Sequence, residues 1–110
     1  MKVKFYLLSS SRSPVEEFLK DQSFEIKTGF VDTVNLLASG QVLSMPLNRN
    51  LASIYPGLHE IRLKDKAGKV RVFYFIKKGE AIYMFHAIRK KTQEIQKRDV
   101  EIVLKRIREV

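Results

Sequence analysis

Cysteine and tryptophan are absent from this 110-residue chain, and histidine occurs only at His59 and His86. Without thiols there is no disulfide framework and no thiolate metal site, and two imidazoles are too few for a histidine-rich one. No metal and no cofactor is therefore expected. No apolar run approaches membrane-spanning length. The opening Met-Lys-Val-Lys-Phe-Tyr-Leu-Leu has an apolar patch too short for a signal peptide and leads to no small-residue cleavage site. These absences point to a soluble, cytoplasmic protein with no membrane partner. With 45% apolar residues, residues 1–110 are expected to build one domain around one core, with no linker, repeat or low-complexity segment.

Acidic residues are scarce in one region. Between Arg62 and Arg98 there are twelve Lys or Arg against three acids, Asp65, Glu80 and Glu94, a surplus equal to the formal net charge of +9; basic and acidic residues balance elsewhere. A charge excess confined to one block implies a basic face and a polyanionic partner, RNA first.

Residues 2–8 alternate as a strand before the turn Ser-Ser-Ser-Arg-Ser. Ser13-Pro14 opens a short helix that Phe18 and Leu19 close, with Glu16 and Glu17 in its first turn. A second helix spans about Ser23–Ser39, with Phe24, Phe30, Val31, Val34, Leu37 and Ala38 on one stripe and Gly40 as its stop. Residues 41–56 read as a loop pinned by Leu43, Leu47 and Leu51. Strands Leu58–Lys64, Lys69–Lys77 and Ala81–Ile88 follow, joined by two tight connections that imply an antiparallel meander. A helix over about Gln96–Glu109 turns Val100, Val103, Leu104 and Ile107 inward. The expected class is α+β, in the order β-α-α-β-β-β-α, with a twisted antiparallel sheet packed by helices.

Glu60, Arg62 and Lys64 share one face of their strand, and Arg71 lies with Phe73 and Phe75 on a strand apolar on both faces. An arginine there either pairs with a carboxylate such as Glu60 or lines an open groove. Taken singly, His86 reads as a hydrogen-bonded core histidine, Glu60, Arg62 and Arg71 as a cross-strand charge network, and Arg89-Lys90-Lys91 as a solvated turn. Together they can converge on one concave face.

Four segments carry a resemblance: Ser13-Pro14-Val15-Glu16-Glu17-Phe18-Leu19; Leu58-His59-Glu60-Ile61-Arg62, similar to an "LYELR" strand; Arg71-Val72-Phe73-Tyr74-Phe75; and Phe85-His86-Ala87-Ile88-Arg89-Lys90-Lys91-Thr92-Gln93, similar to the signature "HxFxKKTQ". In this order they resemble the RelE/HigB-type toxins of bacterial toxin–antitoxin systems, in the branch of phage-derived Gp49-like HigB proteins. The usual Thr-Pro start of the last helix is replaced by Glu94-Ile95-Gln96. The resemblance implies a RelE-like fold and ribosome-dependent cleavage of mRNA. It also implies inhibition by a cognate helix-turn-helix antitoxin, with operator DNA reached only through that complex.

Such cleavage needs a base, an acid and cations around the phosphorus. Arg62 and Arg71 suit the phosphate, His86 suits proton exchange, and Lys90 and Lys91 suit either role. Lys64, Lys69, Arg89, Lys97 and Arg98 are the expected RNA-contacting cations. Arg71→Ala is expected to remove toxicity without unfolding. A ParE-like gyrase inhibitor on the same fold and a non-enzymatic basic RNA- or DNA-binding module are the alternatives.

Overall fold

The computed structural model describes residues 1–110, in the order β1 (Val3–Phe5), α1 (Pro14–Lys20), α2 (Phe24–Ala38), β2 (Asn48–Asn50), β3 (Leu58–Asp65), β4 (Gly68–Lys77), β5 (Ala81–Lys90) and α3 (Lys97–Ile107). The architecture is α+β, with three helices on a five-stranded sheet ordered β1-β5-β4-β3-β2. No helix is long and apolar enough to cross a membrane.

Two features of the sheet depart from the sequence expectation. The sheet is mixed, because β1 runs parallel to β5 while the other pairs are antiparallel. The segment between β1 and α1 leads away from the sheet, so β1 meets its neighbour only through a strand almost eighty residues later. The second departure is β2, which forms within the stretch read as a loop. Asn48-Arg49-Asn50 has no apolar alternation to announce it. It pairs with the free edge of β3, and buried Asn48 is held by bonds to Tyr74, to His59 Nδ1 at 3.2 Å and to the Leu43 carbonyl at 3.3 Å.

β4 is the centre. Its Val70, Val72 and Tyr74 join Ile61, Leu63, Ile82 and Met84 under α1 and α2, whose Val15, Leu19, Ile26, Phe30 and Leu37 complete that core. Phe73 on the opposite face packs with Leu58, Phe85 and the Val103 and Ile107 of α3. Ser13 and Ser23 cap α1 and α2 by accepting from the Glu16 and Ile26 amides. In α2 the buried stripe is Ile26, Phe30, Thr33 and Leu37, spaced by four, three and four. Val31 stands about 100° round the helix from Phe30; it and Phe24 are exposed, so the expected stripe is corrected. Gly29 faces Leu63 so closely that a Cβ there would lie 3.1 Å from Cδ2, which accounts for glycine inside this helix.

A bulge decides the β5 side chains. Phe73 pairs with His86 but Tyr74 pairs with Met84, leaving Phe85 as an extra residue. Strict alternation would place His86 with Met84, under α2. The bulge turns both Phe85 and His86 toward α3 and returns Ala87 to the α2 side.

Candidate functional site

α3 covers only part of its sheet face. Beyond it the register places Arg62 opposite Arg71, Lys64 opposite Lys69, and Lys69 opposite Lys90. Arg49 of β2 lies opposite Glu60. The β3–β4 turn and the segment after β5 wall this end into a cavity of about 590 Å³, lined by Arg49, Arg62, Gly68, Lys69, Arg71, Lys90, Lys91, Thr92 and Gln93. Six of these are cations, and the lining contains no acid and no apolar residue.

Beneath it lies one carboxylate. Glu60 is 0% exposed, and neither of its oxygens has a hydrogen-bond partner. Arg71, 3% exposed, places its Nε 3.8 Å from Glu60 Oε1, while its Nη1 donates to the Val70 carbonyl at 3.0 Å. Thus both readings of Arg71 hold: it pairs with Glu60 and it reaches the groove. Burial pulls the Arg71 guanidinium below its ordinary value, Arg62 and Arg49 add to this, and Glu60 opposes it. Burial likewise depresses the Lys90 amine; Arg71, Arg62 and Arg49 push the same way and Glu60 pushes back. An amine held down in this way exchanges its proton more readily near neutral pH than an ordinary lysine does.

The expected site residues divide by position. Arg62, Lys69, Arg71, Lys90 and Lys91 come together in the groove, and Lys64 lines an adjoining cavity with Arg62, Lys69 and Arg71. Arg98, at the start of α3, borders a further cleft with Lys90, Lys91 and Asp99, and Lys97, the first residue of α3, closes the cleft lined by residues 92–97. His86 is outside the groove lining. It is stacked on Phe73, and its Nε2 is bonded to Asp99 Oδ1 at 2.8 Å. Burial lowers its pKa, with Asp99 opposing. Arg89 faces away as well. Alternation after the bulge turns it to the α2 side, where its guanidinium meets Asp65 at 2.9 Å and Gln22 at 2.7 Å.

Two participants escaped the sequence reading. Arg49 lies outside the basic block, in β2, whose residues carry no strand pattern. Asp99 shows only as an acid in the first turn of α3, where it compensates for a start that lacks a side-chain cap at Gln96. No group of three or more His, Asp or Glu gathers as a metal site.

Fold and groove together define a small basic α+β protein whose positive charge converges on one cavity. The chain belongs to the family described as Phage derived protein Gp49-like (DUF891), whose model matches residues 17–108, a family associated with RelE/HigB-type toxins. Three of the four resembling segments lie inside that match, and the Ser13–Leu19 segment straddles its start. Comparison with curated proteins gives no match.

Proposed function

We propose that this protein is the toxin of a toxin–antitoxin pair, with a RelE-like fold, and that it cleaves mRNA on the ribosome as a metal-independent endoribonuclease. The observation that carries this reading is the groove lining of six cations, with two arginines side by side and a pKa-depressed lysine beside them.

In the proposed reaction the ribose 2′-oxygen attacks the adjacent phosphorus and gives up its proton. The bond from phosphorus to the 5′-oxygen breaks, and that oxygen takes up a proton. The products are a cyclic phosphate and a 5′-hydroxyl. Arg62 and Arg71 clamp the phosphate and meet the charge that develops on it. Lys90 moves a proton, as its environment favours. Lys91, Lys69 and Arg49 hold the flanking backbone, and Lys64, Lys97 and Arg98 extend the cationic track. His86, bonded to Asp99, fixes the start of α3 against β5 instead of meeting RNA. The ribosome presents the message in a strained, fixed geometry and supplies part of the catalytic environment. The partner that silences the toxin is a helix-turn-helix antitoxin, through which the pair reaches operator DNA.

Inducible expression in bacteria followed by primer extension on an abundant transcript tests the reading. New 5′ ends inside translated regions, present with wild type and absent with Arg62→Gln, are expected. Growth arrest with intact message would redirect the assignment to a gyrase-directed toxin. A folded product without growth arrest would favour a non-enzymatic nucleic-acid-binding module.

A further inference from the structure

The cavity that adjoins the groove has a different character. It shares Arg62, Lys69 and Arg71 with the groove, but its outer wall is Met45, Pro46 and Leu47, and it measures about 360 Å³. Met45 is 58% exposed among charged neighbours, and its thioether accepts a hydrogen bond from Arg62 Nη1 at 3.3 Å. Arg62 therefore stands between a wholly polar compartment and one with an apolar wall. A nucleotide is divided in the same way, into an anionic phosphate and a flat ring with apolar faces. Guanidinium planes and apolar surfaces are where splayed bases stack.

Hydrogen-bonding chemistry narrows the choice of base. The polar side chains lining this cavity, Arg62, Lys64, Lys69 and Arg71, can donate hydrogen bonds but cannot accept them. The weak side-chain acceptor, Met45 Sδ, is engaged by Arg62. Guanine presents two neighbouring acceptors, O6 and N7, on one edge, and entering by that edge it leaves its own donors, N1–H and the N2 amino group, to solvent at the cavity mouth. The amino groups of adenine and cytosine find no side-chain acceptor there, and an unpaired polar group is costly once desolvated.

We propose that the cavity walled by Met45, Pro46 and Leu47 is a nucleobase seat beside the phosphate groove, and that it selects guanine over adenine and cytosine. The ligand class rests on the RNA-directed reading of the groove.

The test is an NMR titration of the full chain with 2′-O-methylated trinucleotides that carry abasic riboses at both ends and a varied central base. Methylation blocks attack by the 2′-oxygen, so binding is read apart from cleavage. Guanine and inosine, which share O6 and N7, are expected to bind alike and on the order of tenfold tighter than adenine or cytosine. Replacing guanine with 7-deazaguanine brings affinity down to the adenine level. Met45→Ala lowers the guanine affinity toward that of a fully abasic trinucleotide and leaves the abasic affinity unchanged. The proposal is overturned by equal affinity for guanine, adenine and the abasic analogue, by a preference for adenine, by indifference to Met45→Ala, or by no measurable binding of any of them. Guanine selection by a protein that never cuts mRNA would remove the nuclease reading and leave the base seat standing.

Discussion

Arg71→Met is expected to cost a large share of the fold's stability, so any loss of activity has to be read beside a stability measurement. Glu60 and Arg71 are 0% and 3% exposed, with Nε and Oε1 3.8 Å apart and both Glu60 oxygens unbonded. At an effective dielectric constant of about 20 their attraction at that separation is ~4 kcal/mol, which desolvation of the two ions largely offsets. As a unit the pair contributes little. Removing one partner leaves a buried charge without compensation, a loss of roughly 3–5 kcal/mol from a total stability of about 5–15 kcal/mol for a domain of this kind. To the expectation from sequence, a folded but inactive Arg71→Ala, the burial of Arg71 adds a loss of stability. Glu60→Leu combined with Arg71→Met removes both charges and fills the space, so it should unfold within ~1 kcal/mol of wild type or be more stable. Urea unfolding of wild type, both single variants and the double variant closes a thermodynamic cycle. A coupling energy of at least ~2 kcal/mol is expected. Additive losses, or a cost for Arg71→Met below about 1 kcal/mol, would refute the claim that buried Glu60 depends on Arg71 for its compensation. The double variant also separates folding from function, since it should fold and cut no RNA.

Further expectations concern the groove and its supports. Arg62→Gln and Lys90→Gln should each lower RNA cleavage by roughly 10²–10³-fold with little change in Tm by calorimetry, because neither side chain is buried in the core. RNA affinity measured against salt should lose ~0.7 from its logarithmic slope for each groove cation that is neutralised; an unchanged slope would place the phosphate elsewhere. Burial holds His59 and His86 below the ordinary imidazole value. The unfolded chain therefore binds protons first as pH falls: their contribution is complete above the unfolded value near about 6.5 and declines as pH drops toward the folded values. Tm should fall from about pH 7 to about pH 5, and a flat profile would contradict the sign. Asp99→Asn should lower stability to urea by about 1–3 kcal/mol, through the weakened bond to His86, while phosphate binding in the groove followed by NMR stays the same.

That Arg62 and Arg71 share one face of the sheet was legible from the period-two strands and the short connection at Asp65–Gly68, while their direct pairing emerges from the register of the structure. Lys90 and Lys91 followed from their position at the end of the same meander. His86 was less legible: the sequence supports both a core histidine and a site residue, and the bulge at Phe85 decides which face it meets. Asp99 then holds it away from the groove lining. Nothing in Asn48-Arg49-Asn50 marks a strand, since a three-residue edge formed by pairing with β3 needs no apolar alternation of its own. The parallel placement of β1 also depends on a contact distant in sequence. In α2 the helical period itself separates Ile26, Phe30 and Leu37 from Phe24 and Val31, which are apolar but lie off that side and are exposed.

The central claim is that the cationic groove cuts message through attack by its own 2′-oxygen. Purified protein added to a reconstituted translation system programmed with a defined mRNA tests this most directly, with the cut ends analysed chemically. The account predicts fragments ending in a cyclic phosphate and beginning with a 5′-hydroxyl, formed only when ribosomes are translating, and lost with Lys90→Gln or Arg62→Gln. Translation that stops with the message intact, or cleavage that persists in both folded variants, would contradict it.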